Sequence, residues 1–371
     1  MKFYCEKYLL LNAITIASRA VASKSAIASL EGLLIEAAEN IKVSGYDLKT
    51  GITTNFSADV SEKGSIVLNA RLFGDIVRKL PDDVVKIEIS ENYMAKIECG
   101  MSEFEIMGSP ATDYPELPQF EHQDSILLPE KTIKNMISQT NFAVSDNESR
   151  PIHTGALFEV EDGFLTVVAV DGYRLALRRE ALENTVDNKF SFVVPGTALN
   201  EVEKITGDND DSTTIALGSK HIMFTIKDTV LISRRLEGEF LNYKNSIPQT
   251  AKYIVDVEKR AMVDAVERVS LIINDKLKSP VRCVFGTNVL KMLTATAIGR
   301  ASDECVIKGD GEELEIGFNN KYLLEALKAA PAEDIRIQLT SGVSPCIISP
   351  TDNNRNFLYM ILPVRLKANE N

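Results

Sequence analysis

The feature that most restricts how this chain can fold is an order of elements that comes round three times: strand, helix, strands, then strand, helix, strands. In the first copy residues 2–4 read as a strand, and Leu9, Leu10, Ala13, Ile16, Ala17 and Val21 fall on one face at helical spacing. Residues 33–35, 41–44 and 52–56 are strand-like, with a turn at Tyr46-Asp47. Residues 66–68 lead into a helix faced by Leu72, Phe73, Ile76, Val77 and Leu80 and stopped by Pro81. Alternating strands at 84–90, 95–99 and 103–107 close the unit.

The second copy runs from a strand at 125–128 through a helix marked by Ile133, Met136, Ile137 and Phe142 to hairpins at 157–177. Residues 192–194 then feed a helix through Leu199, Val202 and Ile205, and strands follow at 213–217, 221–226 and 230–233. In the third copy residues 253–255 precede a helix with Met262, Val266 and Val269. Residues 316–318 precede another with Leu323, Leu324 and Leu327, and strands at 335–339, 346–349 and 357–362 finish it. Val67 to Val194 spans 127 residues and Val194 to Gly317 spans 123, so the copies are of similar length, with linkers near 122–124 and 249–251. The expected domains are 1–123, 124–250 and 251–371. Three such α+β units suggest an arc or part of a closed ring, because each copy can meet the next through the same kind of surface. The linkers are short and not rich in Gly, Ser or Pro, which argues against beads on a string.

Within the second copy, residues 155–177 read most clearly: two short strands around Glu161-Asp162-Gly163, then a turn at Asp171-Gly172. Tyr173 and Arg174 are offered beside that turn, which suits either a sheet edge that recognises something or an ordinary hairpin.

Composition removes several function classes. A net charge of -12 argues against wrapping nucleic acid with the whole surface but leaves room for a local basic lining. The cysteines (Cys5, Cys99, Cys283, Cys305, Cys346) are odd in number and lack CxxC spacing, so reduced core filler is expected and no zinc site. No apolar run approaches the roughly 20 residues of a membrane span, and Glu6 and Lys7 interrupt any signal-peptide pattern, so a cytoplasmic protein without membrane contact is expected. With only His122, His153 and His221, and no HxxxH, GxSxG, phosphate loop or metal-spaced carboxylates, no catalytic residue, metal or cofactor is expected. Two other readings stay open on the residues alone: a scaffold that binds proteins and no DNA, or a monomeric hydrolase using Tyr173 and His153.

Three chained copies, the run VAVDGYRLAL ending at Leu177, LEGEFLNYKNSIP (236–248) and the C-terminal YMILPVRL (359–366) together resemble the bacterial sliding clamp family, the beta subunit of DNA polymerase III. The resemblance covers residues 1–366. It implies three tandem clamp-type domains with helices inside and antiparallel sheets outside, and a head-to-tail homodimer forming a six-domain ring around duplex DNA. The function implied is that of a non-catalytic processivity factor. Its implied partners are duplex DNA, the polymerase III alpha subunit, the clamp loader and other proteins of replication and repair that carry a clamp-binding motif.

By the same resemblance, a peptide-binding pocket between the second and third domains would be walled by His153, Val170, Gly172, Tyr173, Arg174, Leu175, Leu241, Asn245, Ser246, Asn319, Tyr322, Val343, Pro345, Met360, Leu362, Pro363, Val364 and Arg365. The family often has proline at Leu241, arginine at Asn245, and aliphatic residues at Ser246 and His153, so the pocket's shape and preferred motif depart from the common pattern. Dimer contacts would join Phe104 and Ile106 to Leu271 and Ile272. Lys24 and Arg150 match basic loop positions near DNA.

The expected helices (6–24, 69–80, 130–146, 196–206, 258–268 and 320–330) hold 14 Lys and Arg against 10 Asp and Glu, which leaves -16 on the remainder. A mildly basic lining in an acidic body attracts a polyanion diffusely and is weakened by salt. Arg71, Arg78, Lys79, Lys131, Lys134 and Lys321 are the further DNA-facing candidates, with Lys7, Arg19, Lys259, Arg260 and Lys328 on the same helices. The tail, residues 367–371, is expected to fray.

Overall fold

The computed structural model describes residues 1–182, 189–274, 279–352, 354 and 356–366; the tail at 367–371 lies outside them. The first repeat contains β1 (Lys2–Glu6), α1 (Lys7–Ala17), β2 (Gly32–Ala37), β3 (Ile41–Tyr46), β4 (Thr50–Phe56), β5 (Asp59–Glu62), β6 (Gly64–Asn69), α2 (Ala70–Lys79), β7 (Val84–Ile89), β8 (Met94–Cys99) and β9 (Ser102–Met107). The second contains β10 (His122–Pro129), α3 (Glu130–Ser138), β11 (Gly155–Glu161), β12 (Phe164–Val170), β13 (Arg174–Ala181), β14 (Phe190–Pro195), α4 (Gly196–Ile205), β15 (Ser212–Gly218), β16 (His221–Ile226) and β17 (Thr229–Arg234). The third contains β18 (Tyr253–Glu258), α5 (Lys259–Ser270), β19 (Val281–Thr296), β20 (Gly299–Phe318), α6 (Asn320–Ala329), β21 (Asp334–Leu339), β22 (Cys346–Pro350) and β23 (Phe357–Ile361).

The compact units do not follow the repeats. One comprises Met1–Ile133 with Glu201–Arg235, the other Lys134–Asn200 with the described residues of Leu236–Asn371, so the middle repeat is shared out. Hydrogen bonding gives the reason, because each sheet of the middle repeat continues a sheet of a neighbouring repeat. The first unit has a sheet of order β5-β1-β7-β8-β9 and another of order β10-β15-β16-β17-β4-β3-β2-β6, in which β17 and β4 join with Leu231 opposite Ile52. The second unit has one sheet of order β14-β11-β12-β13-β23-β22-β21-β18-β20-β19, in which β13 and β23 join with Ala176 opposite Tyr359.

In the first unit the core forms where helix stripes meet strand faces. Phe73, Ile76 and Val77 of α2 and Leu10, Ala13 and Ile14 of α1 pack with Phe3, Leu33, Ile35, Val85 and Ile97. Asn69 starts α2 by accepting a hydrogen bond from Leu72 N at 3.0 Å, an N-cap worth about 1 kcal/mol over alanine. Arg78 and Lys79 in the last turn suit the negative end of the helix dipole.

Two expected helices are shorter than their periodicity implied. The α1 helix ends at Ala17, followed by a 3-10 turn at Ser18–Ala20, and the serine-rich run after it offers the backbone competing partners. Lys24 therefore stands in an exposed loop. The α3 helix ends at Ser138, beyond which the Thr140 hydroxyl bonds back to the carbonyl of Met136 at 2.7 Å. Residues 281–315, which fall in no expected element, form β19 and most of β20: Val281, Cys283 and Phe285 and then Leu290 and Met292 alternate buried with more exposed neighbours, while residues 299–304 alternate only between half-buried and exposed. The five cysteines are free and buried, and burial pushes the thiols of Cys5 and Cys346 up to about 12. Among the described residues no helix is long and apolar enough to cross a membrane.

Candidate functional site

Strand alternation puts one apolar floor across the β13–β23 joint. Leu175, Leu177 and Arg179 share a face with Val170, Val168 and Thr166 of β12, and Leu175 and Leu177 lie opposite Met360 and Leu358 of β23. The same face continues through Ile347 and Ser349 to Gln338 and Arg336. Leu157, Val168, Val170, Leu175, Val193, Tyr243, Ile347 and Met360 form one buried cluster, with Ile152, Leu177, Leu236, Phe240, Ile247 and Leu358 packed against it.

The segment after β17 crosses this face and is held there by polar contacts. The Tyr243 hydroxyl donates to Glu159 Oε2 at 2.8 Å, and Lys244 lies 3.0 Å from Glu159 and 3.1 Å from Glu161. Burial and the Glu159 contact both push the Tyr243 phenol up, so it stays neutral and donating. Between this segment and the sheet runs a cleft of about 670 Å³, lined by Leu177, Leu358, Ile347, Tyr243 and Ile247 and, further on, by Thr166, Arg179, Gln338 and Arg336.

The turn expected at Asp171-Gly172 is built as its residues require. Asp171 Oδ1 accepts from Tyr173 N at 2.8 Å and Arg174 N at 3.0 Å, and Gly172 has φ +92°. Leu362 N donates to Tyr173 O at 2.8 Å and Val364 N to Gly317 O at 2.8 Å, so the two sequence runs that carried the resemblance meet.

Of the eighteen expected pocket residues, Val170, Leu175 and Met360 lie buried in the apolar cluster. Half-buried around it are His153, Ser246, Asn319, Tyr322, Pro345, Leu362, Pro363 and Val364, while Gly172, Leu241, Asn245, Val343 and Arg365 are exposed. Tyr173 is 62% exposed, with its ring stacked 6.2 Å from that of Tyr322. None of the eighteen lines the 670 Å³ cleft, which begins beyond the floor they surround.

Two polar residues of the expected pocket wall are engaged within the protein. Asn319 is the N-cap of α6, its side chain accepting from Lys321 N at 2.9 Å. Arg174 is 8% exposed and its donors are engaged within the protein. Its Nε donates to Asp171 Oδ2 at 2.8 Å, Nη2 to Phe142 O at 2.6 Å and Nη1 to Glu325, while the guanidinium lies 4.3 Å from the Tyr322 ring centroid. It fastens β13 to α6 beneath the pocket.

The sequence reading missed Leu177, Leu358, Ile347, Ile247 and Glu325. Alternation from Leu175 and Met360 would have found the first two, whereas the others depend on tertiary packing. The catalytic pairing of Tyr173 with His153 is not formed: His153 packs against Phe240 at 5.5 Å and Tyr173 against Tyr322. Burial first, and Arg150 second, hold the His153 imidazole below its ordinary pKa.

The basic candidates sit on exposed elements in each unit. In the first unit Lys24, Arg71, Arg78, Lys79 and Lys131 are exposed and Lys134, whose unit is the second, is half-buried. Arg78 pairs with Asp75 at 2.7 Å, Lys7 with Asp82 at 2.8 Å and Arg19 with Glu201 at 3.2 Å. In the second unit Arg150 and Lys321 are exposed, with Lys321 4.0 Å from Glu325. Lys328 pairs with Glu267 at 2.6 Å and Lys259 donates to Ala330 O at 2.8 Å. Over the observed α-helices of the described chain, 12 Lys and Arg stand against 7 Asp and Glu. At the first unit's sheet edge Phe104 is 39% exposed and Ile106 half-buried; after α5 Leu271 is 82% exposed and Ile272 half-buried.

Models of the DNA polymerase III beta subunit match the chain throughout: the N-terminal domain at residues 1–118, the central domain at 127–242 and the C-terminal domain at 244–365. The chain is 35% identical to the beta sliding clamp of Halalkalibacterium halodurans and 34% identical to that of Bacillus subtilis, over 98% of this chain and 100% of each relative. Its fold is similar to the crystal structure of the DNA polymerase sliding clamp from Bacillus subtilis, with a TM-score of 0.95 and 34% identity over 99% of this chain and 100% of that one. It is also similar to a sliding clamp of Pseudomonas aeruginosa bound to griselimycin, with a TM-score of 0.94 and 25% identity over 99% and 100% of the two chains.

Proposed function

Because the chain belongs to the DNA polymerase III beta subunit family, the bacterial sliding clamps, we propose that two copies close head to tail around duplex DNA. The ring slides without reading sequence and holds its DNA topologically, so the processivity it confers needs no chemistry of its own. The helices, with 12 basic against 7 acidic residues, face the phosphates, and Lys24 and Arg150 reach them from loops. The DNA polymerase III alpha subunit and other motif-bearing replication and repair proteins insert a short peptide over Leu175 and Met360, with Tyr173, Leu362 and the exposed Leu241 at its rim. A separate ATP-driven clamp loader opens the ring.

One observation carries the ring. The repeats are joined twice by the same sheet continuation, β17 to β4 and β23 to β13, while the corresponding strand β9 remains an edge. Phe104 and Ile106 on β9, with Leu271 and Ile272 after α5, are the contacts that close a third joint between copies. After loading, the protein is expected to stay on nicked circular DNA and to be lost when that DNA is linearised. Equal retention on both forms would sink the topological reading. Leu362→Ala is expected to weaken binding of a polymerase-derived peptide while the dimer persists; unchanged affinity would remove this pocket from the proposal.

A further inference from the structure

The apolar floor of the pocket does not stop at Leu175 and Met360. Two residues further along each strand the same outward face presents Leu177 and Leu358, which lie opposite one another, and Ile347 pairs with Met360 on the next strand. Arg179 follows on that face of β13. The cleft of about 670 Å³ runs between this face and residues 243–249, bounded by Tyr243, Ile247 and Pro248.

Most of the charged lining is satisfied from within. Lys244 is shared by Glu159 and Glu161 at 3.0 and 3.1 Å, Arg336 is clasped by Asp256 at 2.8 and 2.9 Å, and Asp352 accepts from Asn354 N at 3.0 Å. Arg179 is the exception among the cations: it is exposed, and its side chain has neither ion pair nor hydrogen bond among the described residues. The guanidinium lies 4.0 Å from the Phe164 ring centroid, a contact that holds its plane and leaves its N–H edges free for an acceptor. A planar fork of unpaired donors beside an apolar floor matches a carboxylate carried next to an apolar side chain. Asp162, exposed in the turn between β11 and β12, is the unpaired anion of the lining, so the cleft suits a single carboxylate better than a run of them.

We propose that this cleft is a second anchor for the protein whose peptide fills the pocket: the same partner chain lays an apolar side chain over Leu177 and Leu358 and sets a carboxylate on Arg179. The inference rests on the peptide reading above and extends it from the motif to the residues beside it. Two features favour a peptide over a compact small ligand. The cleft's floor is continuous with that of the pocket, since Leu177 and Leu358 pack against the cluster that holds Leu175, Met360 and Ile347. Residues on one face of a strand also lie roughly 7 Å apart, which is the repeat of side chains on one face of an extended peptide. A chain running along β13 therefore brings an apolar residue to Leu177 and, two positions on, an acidic one to Arg179. Tyr243, held by Glu159 at 2.8 Å, keeps the facing wall in place.

Fluorescence anisotropy tests the second anchor with a polymerase-derived peptide and the same peptide lengthened, at each end in turn, by a leucine and a glutamate set two residues apart between glycines. One lengthened peptide is expected to bind about tenfold more tightly than the parent. Arg179→Glu should abolish that gain and leave the affinity of the parent within about twofold, since Arg179 lines the cleft and is not a residue of the pocket. Replacing the added glutamate by lysine should remove the gain on the wild-type protein and restore it on Arg179→Glu. No gain at either end overturns the proposal, and a gain that survives Arg179→Glu overturns the role of Arg179. A parent peptide that fails to bind the wild-type protein overturns the pocket itself, an outcome distinct from a parent that binds and an extension that adds nothing.

Discussion

The two internal joints are built by the same strand pairing, yet their outward faces are covered differently. At the β17–β4 joint the outward position on β4 is Gly51, and Leu117 of the following linker sits so close that a Cβ on Gly51 would come within 2.4 Å of its side chain. Leu117 packs there with Tyr46, Val67 and Tyr114. At the β13–β23 joint the equivalent position is Leu175, opposite Met360. Counting three residues on from the linker tyrosine gives Leu117 after Tyr114 but Ser246 after Tyr243. Leucine thus packs over the outward face of the first joint, whereas the matching position beside the second is a half-buried serine, and its apolar floor is covered by Phe240, Tyr243 and Ile247 instead.

The helix sides of the joints differ as well. The first joint has Thr54 and Thr229 sharing a hydroxyl hydrogen bond at 2.9 Å, whereas the second has the buried Arg174 network. The largest expected effect therefore comes from Arg174→Ala. Deleting the guanidinium leaves the buried side of Asp171 and the Phe142 carbonyl without their donor, and should cost about 3–5 kcal/mol in denaturant unfolding. The paired replacement Thr54→Val/Thr229→Val removes both partners together and should cost under about 1 kcal/mol. Comparable losses from the two would mean that the joints are held alike.

Ser246→Leu should place beside the second joint the leucine that the first one has. Affinity for a polymerase-derived peptide is expected to fall about tenfold or more, equivalent to about 1.4 kcal/mol, with the dimer unaffected. Fluorescence anisotropy would read this directly, and undiminished binding would break the analogy between Leu117 and Ser246. Leu117→Ala is the converse experiment. It should destabilise the first joint by about 1–2 kcal/mol, below the range for a fully buried leucine because Leu117 is only half-buried.

The smallest effect is expected from acid. Burial and Arg150 lower the His153 pKa, so the folded protein favours its neutral form. The stability this provides is complete above the ordinary histidine range near 6.5 and is lost as pH falls toward the depressed folded value. His153→Gln should flatten part of the stability profile between about pH 7 and 5. An identical profile in the variant would show that His153 is not strained by its surroundings.

Much of the fold was legible because the evidence for it is local. Helix faces such as Phe73, Ile76 and Val77, the Pro81 stop, the turn glycines and the strand alternations recur at a fixed spacing, and recurrence itself implied three similar units. The long hairpin of β19 and β20 is legible only in part: Val281, Cys283 and Phe285 and then Leu290 and Met292 alternate as strand residues should, but the half-exposed stretch of β20 carries Arg300, Asp303 and Glu304 where an apolar face would have announced it. The helix expected to run to Lys24 stops at Ala17, because periodicity has no means of sensing a serine-rich run that competes for the backbone; the loop position of Lys24 was legible only through the resemblance.

The sequence by itself determined the repeat, the Asp171-Gly172 turn and the set of apolar residues that had to be buried somewhere, because propensity, turn chemistry and periodicity act within a few residues. Only the tertiary structure decided that the middle repeat would be shared between two compact units, that Arg174 would lie beneath the pocket, and that Leu117 would pack over one joint while Phe240, Tyr243 and Ile247 cover the other. Those outcomes depend on strands distant in the chain becoming neighbours in a sheet, where each backbone hydrogen bond must find its partner and each outward side chain meets whatever the register sets against it.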